Sequence, residues 1–256
     1  MKRGTIRFAT VSTVLGALLL LGGAASAADD AGALVQNAVG ALPRVPFRAA
    51  LKLTPPEGAP RDLSLSHKVV NGNRASLLEV SEPAELSGMK FLFLENAVTG
   101  PEQYIKIKSG RTPVKVEGQI RKQPFLESSF YVSDLVEPKL DSFTYAFVGD
   151  EELLARKTKK VEATPKNPGE EIYSKTILWI DPVDLLILKR QFFDKDGKVL
   201  KVWTVDKVEK VDGIWTMRDQ TMTNVQEKAT SRLSTPEVKY NVELKDNIFE
   251  PRSLAQ

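Results

Sequence analysis

Residues 173–224 read YSKTILWIDPVDLLILKRQFFDKDGKVLKVWTVDKVEKVDGIWTMRDQTMTN. Short runs of β-branched, aromatic and aliphatic residues are separated by Asp181-Pro182, Asp196-Gly197 and Asp212-Gly213. Asp-Gly between two such runs is the strongest short-range hairpin signal, because glycine accepts the positive φ that a tight turn imposes. The stretch predicts an antiparallel meander and raises the question of what the meander curves around. Asp194-Lys195-Asp196-Gly197 has some likeness to a calcium loop, but its glycine stands fourth where an EF-hand loop needs it sixth. The hairpin reading wins there.

The rest of the chain has the same texture. Arg48–Thr54 and Asp62–Val70 alternate polar and apolar residues, and Leu63, Leu65 and His67 share one face with Val69. Asn71-Gly72-Asn73 marks a turn before Arg74–Val80. Met89–Leu94 is apolar on both faces, as in a strand with apolar partners on each side. Gln103–Lys108 alternates, whereas Ser109–Phe130 is hard to read: Val114 and Val116 suggest a strand that Gly118 and Pro124 break. Tyr131–Leu135 predicts a single helical turn. Ser142–Val148 and Glu152–Thr164 predict a pair turning at Gly149-Asp150, and Ala229–Leu244 a last hairpin. Residues 29–42 carry Leu34, Val35, Ala38, Val39 and Leu42 at helical spacing, stopped by Pro43. No stretch between Arg44 and Pro251 reads as a linker. The expectation is a mainly β (α+β) fold with a short N-terminal helix. Its sheet is a single antiparallel, incompletely closed β-barrel of about ten or eleven strands, since so many strands curl rather than stay flat.

The first residues read as a processing signal. Lys2, Arg3 and Arg7 precede an apolar core from Val11 to Leu21, and Ala25-Ser26-Ala27 supplies the small-x-small cleavage pattern. The core is much shorter than the roughly 20 residues a membrane span needs. The expectation is a signal peptide over residues 1–27, a domain over residues 28–256, and release into the periplasm; with no cysteine after the apolar core, a lipid anchor is excluded. Lys2, Arg3 and Arg7 also account for the excess of 36 basic over 33 acidic residues. The remainder is balanced, which argues against nucleic acid as a partner, because that binding rests on a basic footprint.

Catalytic patterns are missing. The chain has no cysteine and a single histidine, His67, on an alternating strand, where a surface or packing role is the plain reading. No Gly-x-Ser-x-Gly elbow, His-Glu-x-x-His or glycine-rich phosphate loop occurs. No catalytic residue, metal or cofactor is called for. What remains is a set of bulky apolar residues on a curved sheet: Phe91, Phe93, Phe125, Phe130, Trp179, Phe192, Trp203 and Trp215. Filling an ordinary core is the simpler fate for each. The functional alternative is that they line a concave ligand groove.

On these residues the chain resembles the envelope lipoprotein-sorting family, the LolA-like proteins, in the larger branch found beside membrane exporters. The matching stretches are Phe91–Tyr104 (FLFLENAVTGPEQY), Tyr173–Asp181 (YSKTILWID), Phe193–Lys198 (FDKDGK), Val211–Trp215 (VDGIW), Thr221–Asn224 (TMTN) and Asn247–Arg252 (NIFEPR). Relatives carry a basic cluster and a Ser-Phe-Met-Gly-Ser-Asp run in the middle; here Lys108–Ile120 reads KSGRTPVKVEGQI and Phe125–Leu135 reads FLESSFYVSDL. The resemblance implies an unclosed barrel whose apolar inner face is covered by helices and takes up acyl chains. Its function would be that of a periplasmic carrier of a lipid or lipoprotein. Such a carrier works with an inner-membrane exporter, touches membranes transiently and serves outer-membrane biogenesis. The rival readings are a lipid-free scaffold subunit of an exporter and, less well supported, an envelope hydrolase. An outer-membrane barrel fits poorly, because Lys189-Arg190 and Lys198 to Lys201 would place charge toward lipid.

Overall fold

The computed structural model describes residues 23–96, 99–110 and 112–255. The expected signal peptide therefore lies mostly outside the described residues. Helix α1 (Gly23–Gly40) is followed by β1 (Phe47–Thr54), β2 (Arg61–Val70), β3 (Asn73–Glu82), β4 (Lys90–Glu95), β5 (Glu102–Lys106) and a two-residue β6 (Val114–Lys115). After a long connection come β7 (Phe143–Leu153), β8 (Arg156–Pro165), β9 (Lys175–Asp181), β10 (Leu186–Phe193), β11 (Val199–Val211), β12 (Ile214–Asn224) and β13 (Ala229–Tyr240). All belong to one antiparallel sheet of 13 strands, rather than ten or eleven, in the order β6-β5-β4-β3-β2-β1-β13-β12-β11-β10-β9-β8-β7.

The meander forms as its turns dictate. Asp212 and Gly213 both have positive φ (51° and 80°), as do Asn71 and Gly72 (50° and 81°), the requirement of the tight hairpin turn. Between β10 and β11 the Asp194 carboxylate accepts the backbone N–H groups of Asp196 and Lys198, so it is occupied in holding the turn. Two expectations fail for local reasons. The β7–β8 turn lies at Leu154-Ala155, both at positive φ without a glycine or asparagine to signal it. Gly149, expected at that turn, sits instead where the register skips between Phe147 and Gly149 inside the ladder. Likewise Ala229–Tyr240 is one strand, not a hairpin. Pro236 inside it falls where the β1–β13 register shifts, the place a strand tolerates a residue without an N–H.

The strand order fixes the architecture. The chain enters in the middle of the sheet at β1, builds outward to the β6 edge, then restarts at the opposite β7 edge and builds back to β13 beside β1. The two edges do not pair, so the barrel stays open. Residues 116–142 must connect one edge to the other, and they do so across the inner face. Phe125 meets Phe91 of β4 with ring centroids 4.8 Å apart, and the Val132 carbonyl accepts the Gln103 side chain of β5. The Ser129 N–H donates to Ser231 of β13. Where a helical cover was expected, only α1 is α-helical among the described residues, packed on β7 and β9, and this crossover contains single 3₁₀ turns. The one at Val132–Leu135 matches the expected helical turn.

Side-chain alternation sorts the two faces. Leu51, Leu53, Leu63, Leu78, Phe91 and Phe93 join the inner core with Phe125 and Phe130 of the crossover. Ala75, Leu77 and Leu92 point outward and are buried by Leu244, Phe249 and Leu254 of the C-terminal segment. That tail explains why β4 is apolar on both faces. Truncating a buried phenylalanine costs about 3–5 kcal/mol, so Phe249→Ala is expected to lower the urea-unfolding free energy by that amount. A loss under about 1 kcal/mol would place the tail outside the cooperative unit.

Candidate functional site

The inner face is filled beneath much of the crossover but leaves a cavity of about 790 Å³ between α1, β7–β10 and residues 133–145. Its apolar wall comes from Val35 of α1, Leu178 of β9, Phe192 of β10, and Val136 and Leu140 of the crossover. Exposed Glu117 and Glu170 and half-buried Lys139 also border it, and Asp134, Glu137 and Arg190 bring charge to its inner part, so the lining is polar as much as apolar. The volume falls in the range typical of small-ligand pockets, roughly 300–1,000 Å³.

A buried ion pair stands at the floor. Lys201 of β11 is 0% exposed and contacts the Asp134 carboxylate, 2% exposed, on the crossover. Asp134 also accepts the Tyr131 N–H at 2.7 Å and the Tyr173 hydroxyl at 2.6 Å. The Lys201 ammonium lies 3.4 Å from the Tyr131 ring centroid, and the Tyr131 and Tyr173 rings are parallel at 6.4 Å. Burial lowers the Lys201 pKa against the opposing pull of Asp134, and burial beside Asp134 raises that of Tyr173 well above its ordinary value. The Asp134 carboxylate accepts from three donors and the ammonium lies over an aromatic ring, the kind of compensation a buried salt bridge needs to survive desolvation.

A second set of charges lies on the same face. Arg74 of β3 and its neighbour Glu95 of β4 are 3.4 Å apart, while Arg190 of β10 donates to Glu137 of the crossover at 2.5 Å. Burial pushes Glu95 up to about 7; Arg74 opposes this, Glu137 adds to it and Arg190 opposes it. His67 is buried, bonded to Ser76 at 2.8 Å and stacked on Phe47 with centroids 4.8 Å apart. Burial, then the field of Arg74, lowers its pKa to about 4. It is a packing residue. Among the described residues no group of three potential metal ligands stands together.

The eight residues singled out by bulk have different fates. Phe91, Phe93, Phe125, Phe130, Phe192 and Trp203 meet in one buried core, and Phe192 alone of the eight lines the cavity, packed on Tyr173. Trp203 donates its indole N–H to Gln220 and lies under the Arg190 guanidinium. Trp215 is half-buried between Arg156 and Lys210. Trp179 faces outward, flanked by Lys160 and Lys189, with its N–H on Glu151 at 2.7 Å. Sequence reasoning missed Asp134, Lys201, Glu137 and Arg190, and it used Arg190 and Lys201 as examples of outward charge; both point inward. Parity held the clue, since Lys201 shares a strand face with Trp203, and Arg190 with Phe192.

An open antiparallel half-barrel with a strap across its inner face and a cavity beneath defines a container without a closed seam. Residues 72–256 match the model of a family described as uncharacterized protein, and the chain belongs to that family. Its fold is LolA-like. A lipoprotein-sorting protein domain from Vibrio parahaemolyticus, named in its structure as a putative outer-membrane one, superposes with a TM-score of 0.81 at 20% identity, covering 90% of this chain and 100% of that one. A DUF1329 family protein from Desulfovibrio piger gives 0.80 at 20% identity, covering 89% and 99%. A LolA superfamily protein from Nitrosomonas europaea gives 0.64 at 18% identity, covering 86% and 97%. No curated protein matches the chain. Among the described residues no helix is long and apolar enough to cross a membrane.

Removing one partner of the buried pair leaves a bare charge, which costs about 3–5 kcal/mol. Lys201→Met is expected to lose that much in urea unfolding, and Lys201→Met combined with Asp134→Leu to recover most of it. Equal losses in the single and double variants would show that the pair itself does not matter.

The two shifted groups give opposite pH dependences. Between about pH 6.5 and 4 the unfolded chain protonates at His67 while the folded chain does not, so this contribution is complete above pH 6.5 and is lost on acidification. Between about pH 4.5 and 7 the folded chain holds the Glu95 proton more tightly, so its contribution is lost as pH rises. Each is on the order of 3 kcal/mol across its window. Unfolding free energies of His67→Gln and Glu95→Gln, subtracted from wild type at each pH, are expected to slope in opposite directions. A flat difference for either variant would refute that assignment.

Proposed function

We propose that the protein is a periplasmic carrier that takes an acyl chain into the cavity beneath its crossover and moves it through water. The observation that carries this is a cavity of about 790 Å³, with an apolar wall at Val35, Leu178 and Phe192, inside an unclosed LolA-like half-barrel. In this reading residues 1–27 are a signal peptide removed on export, residues 28–256 are the carrier domain, and an inner-membrane exporter supplies the cargo. Each CH₂ kept from water is worth roughly 0.8 kcal/mol, so an unshielded acyl chain does not cross the aqueous space at useful rates. Shielding needs no catalytic group, only an apolar wall and a cover that can move.

The chain end would rest on Phe192 and Leu178. Phe91, Phe93, Phe125, Phe130 and Trp203 then form the deeper wall, reached when the crossover shifts. Trp215 lies at the margin of this core and Trp179 behind it, on the outer face. The packed state of that deeper wall also favours a second reading, a lipid-free scaffold subunit of an exporter. Mass spectrometry of protein purified from the periplasm separates them: the carrier is expected to bring down acyl lipid and to bind a fluorescent acyl probe. Phe192→Asp is expected to weaken the probe about tenfold or more, the equivalent of burying a charge in the wall. Lipid-free protein with no affinity for the probe would leave the scaffold.

A further inference from the structure

We infer that the occupant of this cavity is an amphiphile with an anionic head, a carboxylate or a phosphate, seated on Arg190. The inference rests on the carrier reading and narrows it, because a neutral acyl head would have no use for the groups involved. Arg190 reaches the cavity from the inner face of β10 beside Phe192. One of its terminal nitrogens is held by Glu137, but its buried Nε–H has no hydrogen-bond partner among the described residues. Arg74, in the same charge set but outside the cavity lining, likewise keeps its buried Nε without a hydrogen-bond partner among the described residues, while its Nη1 faces Glu95 at 3.4 Å. Buried donors are satisfied almost everywhere in native proteins, and a guanidinium is the costliest donor to leave idle. Its planar fork matches the two oxygens of a carboxylate or phosphate.

The neighbouring pair at Lys201 supports the contrast. There the Asp134 carboxylate meets an ammonium, a hydroxyl and a backbone N–H, so the fold completes a buried charge where the charge serves only the fold. At Arg190 it leaves donors over. Charge balance also allows an anion. The set holds Arg74, Arg190, Glu95 and Glu137, and burial raises Glu95 to about 7, so that it is about half protonated near neutral pH. With Glu95 protonated the set has one unmatched positive charge. The groups facing Glu95 are Arg74 from β3, Glu137 from the crossover and Arg190 from β10, with His67 of β2 beyond Arg74. Seating an anion therefore favours proton uptake at Glu95, and affinity rises as pH falls through about 7.

The test uses the full chain after its signal peptide and competition against a bound fluorescent acyl probe. Dodecyl sulfonate keeps its charge at all pH values used; dodecanol is its neutral counterpart. The sulfonate is expected to bind about tenfold or more tightly than the alcohol, the usual yield of a charge-assisted hydrogen bond. Arg190→Gln is expected to remove that preference and Arg190→Lys to keep part of it. Glu95→Gln is expected to retain the preference at pH 8 and flatten its pH profile. Hexadecanoate and hexadecyl phosphate identify the better head, and inorganic phosphate alone tests a free-anion site. Equal binding of sulfonate and alcohol by the wild type overturns the inference and leaves the carrier intact. Inorganic phosphate bound as tightly as hexadecyl phosphate overturns it as well. No binding by any amphiphile overturns both readings.

Discussion

A lysine with no exposed surface is held by an aspartate on a segment that belongs to no strand, and much of the molecule's interior depends on that contact. The sheet starts in its own middle, so the two edge strands are consecutive in sequence and the chain must travel from one rim to the other. Residues 116–142 make the journey over the inner face, and Lys201–Asp134 decides where they come to rest. Tyr131 and Tyr173 complete the shell around the pair, and Tyr173 in turn packs on Phe192 at the cavity wall. The polar contact thus sets the position of apolar surface several residues away. Ser129 on Ser231 and Val132 on Gln103 register the rest of the segment.

The consequence is an interior divided in two. On one side Phe91, Phe93, Phe125 and Phe130 interlock, and the crossover serves as the missing wall of the barrel. On the other it stands away from β8–β10 and leaves space. The filled core is apolar throughout, while the cavity mixes Val35, Leu178 and Phe192 with charged residues. What separates them is the path of the strap, which leaves its 3₁₀ turn at Leu135 and runs toward the β7 rim through Glu137 and Leu140.

The strand meander was legible because its turns announce themselves. Asp212-Gly213 and Asn71-Gly72 offer the residue types that positive φ favours, and the alternation of β1 to β3 names the inner face. Leu154-Ala155 adopts the same backbone without those residues, held by its ladder, so sequence pattern pointed instead to Gly149, which serves as a bulge. The crossover was illegible for a different reason. Its order comes from contacts with β4, β5, β11 and β13, each distant in sequence, and it has no period of its own. The charged interior was readable in part: parity places Lys201 with Trp203, but the general rule that lysine faces water outweighed it. Trp179 shows the reverse case, an aromatic residue kept outside by the stems of two lysines.

The C-terminal tail has an effect that reaches past the few residues it covers. By burying Leu77 and Leu92 from behind while Phe91 and Phe93 are packed from the front, it makes β3 and β4 the middle of a three-layer wall. Around Trp179, β8–β10 are backed by lysine stems laid on the ring and by the Glu151 side chain of β7. The container's wall is thicker on the side that is full than on the side that is hollow.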